Sequence, residues 1–165
     1  MKIILVGPDG SGKTYLANKI SDEFNIPIIK KTYPKTDEEK KNMFNDYMNI
    51  NDDNEIYDRY AYCELAYGSC VRNNSVISFK QLQRLENKLK HNSLVIHCTD
   101  TIDNLWERCQ QRGEDYIKEK SMLLSIKMYY DLLFSSKRKV EVINYSIQNA
   151  INNYKDIKSW IEKNK

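Results

Sequence analysis

The segment Gly7-Pro8-Asp9-Gly10-Ser11-Gly12-Lys13-Thr14 sets Gly7, Gly12, Lys13 and Thr14 at the spacing G-x-x-x-x-G-K-[ST]. Its flanks narrow the fold further. The apolar run Lys2-Ile3-Ile4-Leu5-Val6 before it reads as a buried strand. The segment from about Lys13 to Phe24 puts Leu16, Ile20 and Phe24 on one helical face. A strand entering a glycine loop that opens a helix is a phosphate cradle. Glycines let successive N–H groups converge on phosphate oxygens, and the helix N-terminus adds partial positive charge. Lys13 supplies a mobile cation for the β- and γ-phosphates, and the Thr14 hydroxyl is expected on Mg²⁺. Gly10, Ser11, Gly12, Lys13, Thr14 and Tyr15 form the candidate ATP-binding set. The loop does not specify the reaction, because kinases, GTPases and motor ATPases share it.

The rest of the chain alternates apolar runs with helical patterns, the form of a parallel α/β sheet. Strands are expected at Ile26–Lys30, Glu55–Asp58, Leu94–Cys98 and Val140–Ile143, making five with the first. Helices are expected at Thr36–Asn49, Tyr60–Arg72, after a Ser78/Gln81 capping box, at Thr101–Gln111, and at about Tyr116–Phe134. Ser146 should cap a last helix carrying Ile147, Ile151, Tyr154 and Ile161. With 165 residues and no repeat or linker, one domain over 1–165 is expected. The net charge of +3 is spread along the chain, without the basic stripe a nucleic-acid partner needs. No apolar stretch approaches a membrane span, and the N-terminal run is too short for a signal peptide. Cys63, Cys70, Cys98 and Cys109 have no metal-ligand spacing, so reduced thiols in a cytoplasmic protein are expected. His91 and His97 are not expected to be catalytic; His97 reads as a core residue of the fourth strand.

A second pattern follows the third strand: Asp58-Arg59-Tyr60-Ala61-Tyr62-Cys63-Glu64-Leu65-Ala66-Tyr67-Gly68. An Asp-Arg pair at the C-terminal end of a parallel strand faces the crevice where open α/β sheets bind ligands. Arg59 can fork onto a second phosphate there. Together the two patterns resemble the thymidylate kinases, in which a G-x-D-G-[ST]-G-K-[ST] loop precedes D-R-[YFH]-x-x-S-x-x-A-[YF]. The resemblance covers the first strand and helix, Asp58 to Gly68, and more loosely Leu94 to Tyr129. It implies a three-layer α/β/α P-loop NTPase of the nucleoside monophosphate kinase type, built on a central parallel sheet, and a homodimer. By position it implies that Asp9 accepts a hydrogen bond from the acceptor sugar 3′-OH and Arg59 holds the acceptor phosphate. Asp58 would orient Mg²⁺ or its waters, and Tyr67 would press on C2′ to exclude ribonucleotides. The stretch at about 108–118 resembles the family's lid, with Arg108 and Arg112 at i,i+4 reaching one triphosphate. Lys13, Asp58, Arg59 and Arg112 are the expected catalytic set.

The chain also departs from that family. The family serine is Cys63 here, and the lid's D-R-I-E run reads Asp115-Tyr116-Ile117-Lys118, without its arginine. Arg112 or Arg59 must then carry more charge, or Lys118 or Lys120 must help. Thr32-Tyr33-Pro34-Lys35 keeps a family proline but offers lysine for arginine, and no arginine lies between Pro34 and Asp58. Tyr33, Lys35 and Phe44 are candidate acceptor-site residues, with Phe44 or Tyr47 as a ring to stack on the base. Thymine, uracil and a modified pyrimidine all stay open.

An acceptor phosphate is favoured over an acceptor hydroxyl. A 5′-OH needs a positioned carboxylate base, and related nucleoside kinases place a Glu where this chain has Tyr33. A monophosphate oxygen is already anionic, so alignment and charge neutralisation suffice. Asp37 is a possible substitute base, which keeps a deoxynucleoside kinase as the alternative. A P-loop switch or assembly module is a third reading, although no N-K-x-D run marks a GTPase and Asn54–Asp58 matches an ATPase strand only weakly.

Overall fold

The computed structural model describes residues 1–113 and 116–165. Its elements run β1 (Lys2–Val6), α1 (Lys13–Phe24), β2 (Ile28–Lys30), α2 (Asp37–Met48), β3 (Glu55–Asp58), α3 (Ala61–Cys70) and α4 (Phe79–Leu89). Then follow β4 (Ser93–Cys98), α5 (Ile102–Arg112), α6 (Lys120–Ser135), β5 (Glu141–Tyr145), a 3₁₀ turn (Ile147–Asn149) and α7 (Ala150–Asn164). The five strands pair in parallel in the order β2-β3-β1-β4-β5. The expected three-layer parallel architecture is the one observed.

The central strand shows why. All five residues of β1 are buried, and strand side chains alternate between faces. Ile4 and Val6 join the core built with α2 to α6, while Ile3 and Leu5 join the core built with α1 and α7. Each such side chain contributes roughly 1.5–3 kcal/mol by leaving water. The helix starts are set locally. Thr36 and Ser78 each form a capping box, with Glu39 and Gln81 respectively.

Several boundaries differ from the sequence-based expectation. Strand β2 starts at Ile28, not Ile26. Pro27 has no N–H to give a ladder, and its carbonyl instead accepts from the Ile56 amide at 2.9 Å. Helix α6 starts at Lys120, not Tyr116. Ile117 is drawn into the core, and Glu119 is extended, its carbonyl receiving the amides of Met122 and Leu123. Strand β5 continues to Tyr145, because its ladder with β4 runs through Cys98↔Tyr145. Ser146 caps the 3₁₀ turn rather than α7 itself. Ile147 and Ile151 are exposed, and α7 buries Tyr154, Ile157, Trp160 and Ile161 instead. No described helix is long and apolar enough to cross a membrane.

His97 is buried as expected, stacked on Phe134 with ring centroids 4.7 Å apart. Its Nδ1 lies 3.0 Å from Asn144 Oδ1, while Nε2 has no partner among the described residues. Burial lowers its pKa, against the Asn144 contact, and keeps the ring neutral.

One register relation positions the site. Strand β3 lies directly beside β1, with Leu5 opposite Asp58. The loop leaving β1 and the turn leaving β3 therefore emerge side by side.

Candidate active site

The loop between β1 and α1 needs its glycines. Gly7 has φ 138°, and a β-carbon there would stand 2.0 Å from the Cys98 carbonyl oxygen. Gly10 has φ 78°, and a β-carbon there would stand 2.6 Å from the Leu105 carbonyl oxygen. The loop is thus pressed against the end of β4 and against α5, which only a bare backbone allows. No side chain caps α1, and no acid occupies its first turn. Its opening N–H groups and partial positive charge stay available to an anion. Lys13 is buried, its ammonium donating to the carbonyls of Gly7 at 2.8 Å and Pro8 at 2.7 Å. Ser11 is also buried, whereas Tyr15 is 66% exposed and lies beyond the loop.

The neighbouring turn brings the second motif alongside. The Thr14 hydroxyl donates to Asp58 Oδ2 at 2.9 Å, and Asp58 Oδ1 is buried with no partner. A hydroxyl and a carboxylate with a spare oxygen form the oxygen-only donor set that suits a hard divalent cation. Arg59 has the left-handed φ of 79°, which ends the strand and turns its side chain towards the loop. Its guanidinium donates to Asp9 Oδ1 at 2.9 Å and lies 5.6 Å from the Tyr67 ring centroid. Burial opposes its charge, but Cys63, Asp9 and Tyr67 hold the guanidinium pKa above its ordinary value. Burial first, then the Asp9 carboxylate, pushes the Tyr67 hydroxyl well above the phenol range. It is a neutral O–H beside the Asp9 carboxylate.

Asp9, Arg59 and Tyr67 line a cavity of about 260 Å³ with Tyr33, Met43, Tyr47, Cys63, Glu64, Arg72 and Tyr116 among others. Of the expected acceptor residues, the structure therefore brings Asp9, Tyr33, Arg59 and Tyr67 together. It does not bring Lys35 or Phe44. Lys35 lines a neighbouring groove with Glu39 and Asp46. Phe44 sits on the α4 side of α2, its ring 5.0 Å from the Arg84 guanidinium; Met43 and Tyr47 line the cavity in its place. Asp37 is exposed, ion-paired to Lys40, and lies outside the cavity lining.

The lid arginines part company. Arg108 donates to the Gly10 carbonyl at 2.9 Å and pairs with Asp100, so it is fixed against the phosphate loop. Burial pushes the Asp100 carboxyl up, but hydrogen bonds from Arg108, Asn104 and the Thr101 amide outweigh it and hold its pKa below the usual value. Arg112 is exposed, with no side-chain partner among the described residues. Two members of the expected lid, Glu114 and Asp115, lie outside the described residues. Lys118 is exposed, and Lys120 pairs with Asp103 on α5.

Glu64 and Arg72 also line the cavity, and neither is among the expected site residues. Every residue of α3 from Ala61 to Gly68 is buried, so a carboxylate in that run was the available signal. Arg72 gives none, because it stands at the end of the expected Tyr60–Arg72 helix with no pattern around it that points to a ligand.

Loop, sheet order and flanking helices define a P-loop NTPase with a kinase-like fold. The model of the ATPase family associated with various cellular activities (AAA) matches residues 3–125 of the 165. The chain belongs to this family. It is similar to the SPbeta prophage-derived uncharacterized protein YorR of Bacillus subtilis (strain 168), with 29% identity over 133 residues, 79% of this chain and 81% of that protein. The crystal structure of YorR in complex with phosphorylated GDP matches with TM-score 0.80 and 27% identity, over 98% of this chain and 96% of that one. Deoxyadenosine kinase from M. mycoides matches with TM-score 0.66 and 14% identity, over 99% of this chain and all (100%) of that one. A likeness at that identity shows the fold alone. The comparisons support the P-loop class and the kinase-like fold, which is coarser than the thymidylate kinase family that the two motifs resemble.

Proposed function

We propose that the protein is a kinase that moves the γ-phosphoryl of ATP onto the phosphate of a deoxynucleoside monophosphate, with Mg²⁺. One observation carries this reading. The Arg59 guanidinium pairs with Asp9 of the phosphate loop and both line the cavity, so a second cationic group is offered to an anion next to that loop. An ATPase that only drives a conformational change can use an arginine on its own γ-phosphate, but has no use for a cavity of about 260 Å³ beside it. The nucleotides held by the YorR structure and by deoxyadenosine kinase, whose complex contains dCMP and dCDP, support a nucleotide acceptor.

The residues divide the work as follows. The loop amides and Lys13 hold the donor's β- and γ-phosphates. Arg59 holds the acceptor phosphate in line, and Asp9, bonded to Arg59, faces the acceptor sugar. Tyr67 packs on that sugar and narrows the room for a 2′-OH. Arg108, fixed by Asp100 against Gly10, adds positive charge beside the transferring group. Arg112 would have to turn inward to help. Thr14, with Asp58 partly through water, would hold Mg²⁺, which neutralises phosphate charge when bound. Closure of the segment around 108–118 would exclude water. The exposed Leu124, Met128 and Leu132, spaced at four-residue intervals on α6, support the homodimer implied by the resemblance.

A second reading, a deoxynucleoside kinase acting on a 5′-OH, draws on Asp9, a carboxylate at the cavity that could take a proton. Its ion pair with Arg59 argues against that task. The test is ADP release from ATP with each deoxynucleoside and each deoxynucleoside monophosphate. Release that depends on a monophosphate is expected. Release that depends on a nucleoside selects the second reading, and release indifferent to both removes the kinase assignment.

A further inference from the structure

The cavity holds a polar pair that the phosphate chemistry leaves unused. Glu64 lies one helical turn into α3, further from the phosphate loop along the chain than Arg59. Its side chain is 3% exposed. Its Oε2 accepts from Arg72 Nη2 at 2.6 Å and its Oε1 from the Val76 amide at 3.0 Å. Each carboxylate oxygen can take a further hydrogen bond. The Arg72 guanidinium lies 3.9 Å over the Tyr33 ring and donates to the Tyr116 hydroxyl at 3.3 Å, while its Nε is buried without a partner among the described residues. All four side chains line the cavity.

A buried carboxylate beside a guanidinium offers acceptors next to a donor. Cytosine, adenine and guanine each carry an amino group, a donor, next to a ring nitrogen or N–H, and each also presents an acceptor. Thymine and uracil present a single ring N–H between two carbonyls, so they bring a carboxylate one donor where an amino-bearing edge brings two or more N–H bonds. An acceptor-only group with open positions on both oxygens favours the edge that brings more donors.

Resting on the kinase reading for the word acceptor, we propose that Glu64 and Arg72 read the base edge of the acceptor nucleotide. The acceptor base is then an amino-bearing one, not the thymine or uracil that the family resemblance suggests. Arg72 also brings an arginine to Tyr33, from just beyond the end of α3.

The test is titration calorimetry of dCMP, dAMP, dGMP, dTMP and dUMP against the wild-type protein and Glu64→Gln, with ADP release measured in parallel. At least one amino-bearing nucleotide should bind roughly tenfold or more tightly than dTMP and dUMP. Glutamine keeps an acceptor for Arg72 and adds a donor, so in Glu64→Gln that gap should shrink by roughly tenfold. Binding of dTMP or dUMP as tight as the rest, a preference unmoved by Glu64→Gln, or no mononucleotide binding at all overturns the proposal. The wild-type panel decides even if the variant does not fold. Selective binding without phosphoryl transfer would sink the kinase reading and leave base recognition standing; efficient transfer to dTMP would do the reverse.

Discussion

Arg59 joins a strained backbone to a charged task, and two substitutions separate them. Arg59→Ala and Arg59→Gly both remove the guanidinium and its 2.9 Å contact with Asp9. The Arg59 side chain is 41% exposed, so solvent screens that pair, and its loss should cost each variant no more than about 1 kcal/mol of stability. The variants differ in what φ 79° demands. A left-handed conformation costs a residue with a β-carbon about 1–2 kcal/mol, while glycine's freer unfolded chain offsets about 0.4–1 kcal/mol. Arg59→Gly should therefore be about 0.5–1 kcal/mol more stable than Arg59→Ala, a melting difference of about 1–4 °C for a chain of this length. Both should lose transfer. A lost charge-assisted contact of about 1.5–3 kcal/mol raises the acceptor KM by roughly 10- to 150-fold, with little change in the KM for ATP. The assays are thermal or urea unfolding and initial-rate kinetics with each substrate varied. An alanine variant as stable as the glycine variant would refute the backbone argument. Equal rises in both KM values would remove Arg59 from the acceptor site.

Other outcomes follow from the same geometry. Asp58→Asn should raise the Mg²⁺ concentration for half-maximal activity by roughly 10–100-fold, read from a magnesium titration; an unchanged requirement would take Asp58 away from the metal. Gly10→Ala drives a β-carbon into the Leu105 carbonyl and should destabilise by about 1–3 kcal/mol in urea unfolding; wild-type stability would show that the loop and α5 can part freely. Asp100 has a folded pKa below its unfolded value near 3.8, so its contribution is complete above that value and lost as pH falls through the folded one. Asp100→Asn should flatten stability against pH on the acid side of about 4, and an unaltered acid limb would contradict this. Burial pushes the Cys98 thiol up to about 12, so native protein at pH about 8 should resist iodoacetamide there; modification found by peptide mass spectrometry would show that the strand opens.

What could be read from the sequence is what local chemistry decides. The loop, α1 and the Asp58-Arg59 pair are contiguous patterns whose meaning survives without neighbours, and the structure assembles them side by side. Phe44 and Met43 are adjacent apolar residues on one helix, and only the position of α4 decides which of them meets the cavity. Ile147 and Ile151 fit the apolar period of the last helix, but α7 begins at Ala150 and turns its buried stripe to Ile157 and Ile161. Arg72 meets Tyr33 from 39 positions away and Tyr116 from 44. No periodicity encodes that meeting, since it depends on how the turn at Asn73, with φ 54°, folds back.

The pairing of Leu5 with Asp58 has a last consequence. On the proposed reading, the groups that hold donor and acceptor leave neighbouring strands of one hydrogen-bonded ladder, about 4.8 Å apart. The sheet is then the ruler of the reaction, stiff and indifferent to what the outer helices do. Substitutions at the periphery should alter how fast nucleotides enter and leave, while the gap the phosphoryl group must cross keeps its length.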